Sequence, residues 1–268
     1  MQVGRGHIPS IDWQNWLILI AGGFLVTAAA NCFNEIIEVD LDKLMSRTKD
    51  RPMPAGRMTT GQGLVLGVFM AFLGTWLLGH LNLETGLLSV FSILLYAFAY
   101  TPLKRKSPIA VFVGAIPGAL PPLIGYLAAF GSLKSDLFLD IDYKIAVILF
   151  LIQFVWQFPH FWAIAWVLDD DYKRAGFKLL PANGLKDADT TMQIMIYTLF
   201  LLPVGWLPYK LGMTGINSAF IATVFGVLFL AQTFHLMRKC TDKTARQLMF
   251  GSFIYLPIVQ IAFLLDKL

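Results

Sequence analysis

Asn34, Glu38 and Asp42 lie four residues apart where a long apolar run ends, and Lys43, Arg47, Lys49 and Arg51 follow at once. Four-residue spacing stacks side chains on one helix face. The three oxygen-bearing groups therefore form a polar stripe where the chain leaves an apolar environment. Carboxylates at the mouth of a bilayer-buried helix are costly and mark function by default. Mg²⁺ takes hard oxygen ligands, usually one or two carboxylates, with water and substrate phosphate completing its octahedron. Arg offers phosphate a bidentate fork and Lys a point charge. Together these residue types suggest a magnesium-diphosphate site. The same spacing fits an ordinary solvated helix end in which Lys43 and Arg47 pair with the acids, and spacing alone leaves the two readings about even. Asp40 points elsewhere if the helix persists and joins the site if it unwinds near Val39.

Three further constellations carry chemistry. Asp169, Asp170 and Asp171, followed by Tyr172-Lys173-Arg174, form the second acidic cluster. Adjacent carboxylates repel unless a cation sits among them; a water-exposed polar helix cap is the plainer reading. Lys104-Arg105-Lys106 could close on phosphate oxygens, but a basic loop of this kind also serves as a topology determinant, and taken alone that reading wins. His160, next to Pro159 in an aromatic span, could bind a metalloporphyrin or act as a base on an acceptor. Alternatively it hydrogen-bonds to a neighbouring helix. His7, His80 and His235 are read as having no such role. Cys32 and Cys240 stand far apart, outside any metal-binding or redox spacing.

These residues need a membrane to position them. The 268 residues are 57% hydrophobic and 14% charged, against about 25% charged in soluble domains. Apolar runs near 20 residues favour helices over a barrel. Eight spans are expected, at roughly 13–35, 61–81, 84–101, 108–130, 144–168, 188–208, 213–237 and 247–266. The fold class is all-α, a polytopic transmembrane bundle. Pro117, Pro121, Pro122, Pro159 and Pro203 fall inside spans, as membrane helices allow where neighbours re-satisfy the backbone. Sixteen of the 21 Lys and Arg fall in alternate loops, near 38–60, 102–107, 169–187 and 238–246. The positive-inside rule puts those loops, and both acidic clusters, on the cytoplasmic side. The net charge of +4 does not imply a nucleic-acid partner.

Read in order, the residues resemble the UbiA-type intramembrane prenyltransferases, and within them the branch that farnesylates protohaem. The resemblance rests on Asn31 to Asn34, on Glu38, Asp40 and Asp42, and on 45–52 (MSRTKDRP) with Pro54 and Gly56. It continues through Tyr100-Thr101 with Lys104-Arg105, 114–126 (GAIPGALPPLIGY), 156–162 (WQFPHFW), 170–176 (DDYKRAG) and Leu180-Pro181. The PPLIGY, PHFW and DDYKxAG pieces point to the haem branch; the first motif alone indicates the superfamily.

The resemblance implies a bundle of nine helices open laterally to lipid, one more than the eight read here. It implies Mg²⁺ held by Asn34, Glu38, Asp42 and the Asp170/Asp171 pair. Arg47, Lys49, Arg51, Lys104, Arg105 and Lys173 would hold diphosphate, and His160 would serve haem. The substrates would be farnesyl diphosphate and haem b, in a bacterial inner membrane, with a downstream haem A synthase as partner. Glu38 departs from the more usual Asp, and Val167 stands where a second DxxxD motif would have its first acid. The resemblance also places a membrane helix before residue 13, so residues 1–268 are expected to form one N-terminally shortened transmembrane domain. A quinone-precursor prenyltransferase is the nearest alternative. A cation-coupled transporter is more remote, because both acidic clusters sit at one membrane face and not at the midplane.

Overall fold

The computed structural model describes residues 13–130 and 141–268. His7 and Lys134 lie outside them. Among the described residues the chain is helical, and the only β pairing is an isolated bridge between Thr214 and Lys267. The order is α1 (Trp13–Ile37), α2 (Val39–Asp42), α3 (Thr60–Leu81) and α4 (Leu83–Leu94). A π-helical turn (Leu95–Tyr100) leads from α4 into the short α5 (Thr101–Leu103). There follow α6 (Ala110–Phe130), α7 (Ile141–Val167), α8 (Asp169–Arg174), α9 (Ala188–Lys210), α10 (Ile216–Lys239) and α11 (Asp242–Leu265). Eight of these segments are long and apolar enough to cross a bilayer, in the eight windows expected from sequence. At 1.5 Å rise per residue, about 20 residues match a hydrocarbon core of about 30 Å. Phe24, Phe72 and Leu265 are 73, 69 and 82% exposed. Large apolar side chains turned outward in such number belong against lipid, and the protein is integral to a membrane.

The helices pack as a curved succession. α1 lies on α3 and α4, α4 on α6, and α6 on α7; α7 meets both α9 and α11, and α10 closes on both of those. The α1–α3 seam is drawn tight by small residues. A Cβ on Gly74 would stand 2.9 Å from the Val26 nitrogen and 3.1 Å from the Gly22 carbonyl oxygen. Helices in lipid associate through such close packing, because lipid tails are as apolar as the side chains themselves.

The α6 prolines do not break that helix. Pro122 has no N–H for the Gly118 carbonyl four residues earlier. Gln153 of α7 supplies the missing donor, its Nε2 to the Gly118 oxygen at 2.8 Å. One turn on, Gln157 Nε2 donates to the Ala115 carbonyl at 3.3 Å, and Gln260 of α11 donates to Gln153 Oε1 at 3.2 Å. A Cβ on Gly118 would fall 2.3 Å from the Gln157 amide, so the glycine is what lets that amide approach. The proline cluster thus nucleates a polar ladder joining three helices where no water is present to substitute.

The basic loops meet at one end of the bundle. Ser46 Oγ donates to Asp171, the Lys178 N–H to the Lys104 carbonyl at 2.7 Å, and Lys186 pairs with Asp242 at 2.8 Å. These contacts tie together all four loops read as one side from their charge.

Candidate active site

α1 carries Asn34 to the end of its membrane span, where the regular helix stops at Ile37. Glu38 has φ −104° and ψ 11°, yet its N–H still donates to the Asn34 carbonyl at 3.0 Å, and that of Asp42 to the Glu38 carbonyl at 2.8 Å. The one-turn spacing survives the irregularity, so Asn34, Glu38 and Asp42 share a face and are all buried, Asp42 completely. Asp40 turns the other way; its carboxylate is 84% exposed and pairs with Lys43 at 2.8 Å. The condition for bringing Asp40 into the site is therefore not met.

A polar network surrounds this stripe. Asn34 Nδ2 donates to Glu38 Oε2 at 2.8 Å and lies 3.0 Å from Thr101 Oγ1. Lys104 Nζ donates to the same Glu38 oxygen at 2.6 Å. Arg51 reaches back from the loop, with Nη1 on Asp42 Oδ2 at 2.8 Å and Nε 3.4 Å from Glu35. Thr48 Oγ1 donates to the Asp42 carbonyl at 3.0 Å. Burial pushes the Glu38 carboxyl above its ordinary range, and Lys104 beside it opposes that shift. Burial likewise lowers Lys104, against the pull of Glu38. Its ammonium also stands 5.1 Å from the Tyr100 ring centre and 5.0 Å from that of Phe177, positions that favour a cation.

Two carboxylate oxygens stand apart from this satisfied network. Glu38 Oε1 and Asp42 Oδ1 are buried and have no hydrogen-bond partner. Unpaired buried anionic oxygens are expensive unless something else completes them. Among the described residues no three His, Cys, Asp or Glu side chains gather as a metal centre. A two-carboxylate site completed by substrate phosphate is nevertheless an ordinary Mg²⁺ arrangement, and the donors present fit it.

The second acidic cluster divides. Asp170 is exposed. Asp169 is buried and pairs with Lys173 at 2.7 Å, which raises the Lys173 ammonium. Asp171 is buried and accepts from Ser46 Oγ on both oxygens, at 2.7 and 2.8 Å, and from Arg174. The Ser46 hydroxyl is the chief reason its carboxyl lies below the usual range. Asp171 thus pins the 43–58 loop, whose Arg51 reaches the first stripe. Arg47 lies near Tyr172 and is exposed, as are Lys49 and Arg105. The structure brings Asn34, Glu38, Asp42, Arg51 and Lys104 into one contact network. Asp170, Arg105 and Lys173 stay outside it.

His160 is buried on the α11 side of α7. Its ring stacks on Trp156 at 4.2 Å, and Nδ1 lies 2.8 Å from Ser252 Oγ. Ser252 donates its one proton to the Met249 carbonyl at 2.5 Å, so Nδ1 is the donor of the His160–Ser252 bond and Nε2 keeps a lone pair.

Sequence reasoning quoted Thr101 and Ser46 within its motifs but gave no role to them or to Glu35. Thr101 closes the π-helical turn through Oγ1 to the Tyr96 carbonyl at 2.9 Å and faces Asn34. Such turns recur at functional sites. The one local signal was Pro102, which cannot donate into a regular helix.

The family model for UbiA prenyltransferases matches residues 6–256. The chain belongs to the UbiA prenyltransferase family. It is 51% identical to the protoheme IX farnesyltransferase of Cytophaga hutchinsonii, over 99% of this chain and 91% of that one. The fold is that of a digeranylgeranylglyceryl phosphate synthase, with TM-score 0.77 and 20% identity over 96% of this chain and 87% of the other. It is also that of a UbiA homologue from Archaeoglobus fulgidus bound to GPP and Mg²⁺, with TM-score 0.63 and 12% identity over 96 and 90%. Family membership makes the chain a prenyl-transferring enzyme.

Proposed function

We propose that this chain transfers a farnesyl group from farnesyl diphosphate to a vinyl group of haem b, giving haem O and diphosphate. The observation that carries the reading is the pair of buried, unpartnered carboxylate oxygens on Glu38 and Asp42, set one turn apart among cations. The 51% identity to a protein named protoheme IX farnesyltransferase supports the acceptor and donor over the quinone-precursor and transporter readings.

In this reading Asn34, Glu38 and Asp42 would hold Mg²⁺. Bound there, the ion would draw charge from the departing diphosphate. Arg47, Lys49, Arg51 and Lys104 hold the diphosphate oxygens and stabilise the charge that develops as the allylic C–O bond breaks. The vinyl carbon of haem forms the new C–C bond, water adds to the resulting cation, and a proton leaves. Arg105, exposed like Arg47 and Lys49, keeps its diphosphate role in this reading; Lys173 is not assigned one, being tied to Asp169. Asp171 holds the 43–58 loop against the site. His160 presents Nε2 to the haem iron, its tautomer fixed by Ser252. The charge asymmetry of the loops supports a cytoplasmic-facing site in a bacterial inner membrane. The product is hydroxylated haem, which implies a consuming haem-oxidising step downstream. The chain, residues 1–268, acts as one transmembrane domain in this reading.

The test is a membrane assay with haem b, farnesyl diphosphate and Mg²⁺, read by mass spectrometry of extracted haem. A haem heavier by one farnesyl group and one water is expected. Diphosphate release with an aromatic acceptor and no modified haem would move the chain to the quinone-precursor reading. No release with any acceptor would revive transport.

A further inference from the structure

The chain that follows the second acidic cluster reverses sharply. Gly176, just past α8, has φ +72°, in the left-handed region that favours glycine. Its N–H donates to the Lys173 carbonyl at 3.0 Å, and the Phe177 N–H to the Tyr172 carbonyl at 2.9 Å. This pair of bonds ends a helix and turns the chain back. The Lys178 N–H then meets the Lys104 carbonyl at 2.7 Å, and the Phe177 ring centre stands 5.0 Å from the Lys104 ammonium. A second ring, Tyr100, has its centre 5.1 Å from the same nitrogen. Gly114 of α6 makes room for it, since a Cβ there would fall 2.7 Å from the Tyr100 ring. Lys104, Tyr100 and Phe177 are all buried. Neither ring has a part in the prenyl transfer proposed above.

Lys104 makes its ionic contact with Glu38 Oε2, at 2.6 Å. The other Glu38 oxygen is the bare one. Mg²⁺ on that oxygen would repel the ammonium beside it, because like charges a few ångströms apart in a buried site interact strongly. A further carboxylate could restrain Lys104, but it would also compete for the metal and repel diphosphate. An aromatic face attracts a cation through its quadrupole and carries no net charge, and the attraction grows when the cation is desolvated. Two rings therefore hold the ammonium at the site without either conflict.

We propose that Phe177, together with Tyr100, is a positioning residue for diphosphate binding. The two rings keep the Lys104 ammonium in place when Mg²⁺ takes Glu38, so that Lys104 turns to the phosphate oxygens and is not driven out of the site. This rests on the reading of Lys104 as a diphosphate cation. It also gives the tail of the second motif a use distinct from metal binding: Gly176 provides the reversal, and the reversal delivers Phe177 to a residue of the first site.

The purified full chain in detergent is titrated calorimetrically with farnesyl thiodiphosphate, an unreactive substrate analogue, in the presence of Mg²⁺ and without an acceptor. Phe177→Leu is expected to weaken binding about fivefold, the ratio for one desolvated cation–ring contact. In turnover the KM for farnesyl diphosphate should rise in step while the KM for haem stays put. A trifluorinated phenylalanine ring at position 177 keeps the shape, and so the packing, but withdraws charge from the ring face. It should weaken binding by a few-fold. In a Lys104→Met background the Phe177→Leu change should have no further effect, since the ring acts through that ammonium. Wild-type affinity in Phe177→Leu would overturn the proposal. So would wild-type affinity with the fluorinated ring, which would leave Phe177 a packing residue, and so would an undiminished effect in the Lys104→Met background. Failure of the wild-type chain to bind the analogue with Mg²⁺ would instead remove the diphosphate reading itself, and this inference with it.

Discussion

Glu38 and Asp42 each satisfy one carboxylate oxygen within the protein and leave the other bare. In the proposed reading the bare oxygens are the ones left for the metal. Asp42→Asn keeps the shape and halves the anionic donor set. It is expected to weaken apparent Mg²⁺ affinity by at least about tenfold and to abolish turnover, with the helical circular-dichroism signal unchanged. Wild-type metal dependence in that variant would sink the metal assignment. His160→Ala is expected to impair haem use more than farnesyl diphosphate binding, and equal loss of both would make His160 a packing residue. Asp171 supplies a pH test. Its carboxyl is held low by Ser46, so its stabilising contribution is complete above the ordinary aspartate value of 3.8 and fades as pH falls through the lower folded value. Ser46→Ala should return that fading toward 3.8. Limited proteolysis of the 43–58 loop across pH reads the difference, and superimposable wild-type and variant profiles would rule out the clasp.

At the scale of elements, the polar ladder from Gln153, Gln157 and Gln260 shows how α6 survives its prolines. Gln153→Leu leaves the Gly118 carbonyl without its donor. A loss of about 1 kcal/mol is expected from hydrogen bonds measured between membrane helices, read as a lowered unfolding midpoint in detergent. No change would mean that water or another side chain already serves that carbonyl. The π-helical turn at Leu95–Tyr100 is the second such device. It turns Thr101 to Asn34 while Lys104, one turn on, reaches Glu38. The 3.6-residue periodicity that locates spans does not reveal a widened turn, because the turn's stability comes from Thr101 and its neighbours across the bundle.

For the whole molecule, the four basic loops act as one layer. Contacts between 46 and 171, 104 and 178, and 186 and 242 join segments that lie far apart in the chain. Cysteines introduced singly at Lys49, Lys178 and Lys243 are expected to label from the cytoplasmic face of sealed vesicles, and one at Lys210 from the opposite face. Labelling of Lys49 and Lys210 positions from the same face would overturn the eight-span topology. The span count was legible in sequence because about 20 apolar residues are a physical requirement of crossing a bilayer, independent of neighbours. That the four basic loops share one end of the bundle was legible because Lys and Arg cross membranes poorly.

The stripe Asn34–Glu38–Asp42 and its cations could likewise be read directly, since helical spacing is local. The sequence alone could not divide the second cluster. Asp169, Asp170 and Asp171 are chemically identical neighbours, and which of them meets Lys173, water or Ser46 depends on where α8 lies against the 43–58 loop. The same holds for the cations. Lys104 and Arg105 are adjacent in the chain, yet tertiary packing buries the first against Glu38 and leaves the second exposed. Sequence determined the membrane character, the spans and the one-face stacking of the first motif, because these follow from composition and local geometry. Tertiary structure decided which oxygens remain unpaired, because pairing requires partners brought together from distant parts of the chain.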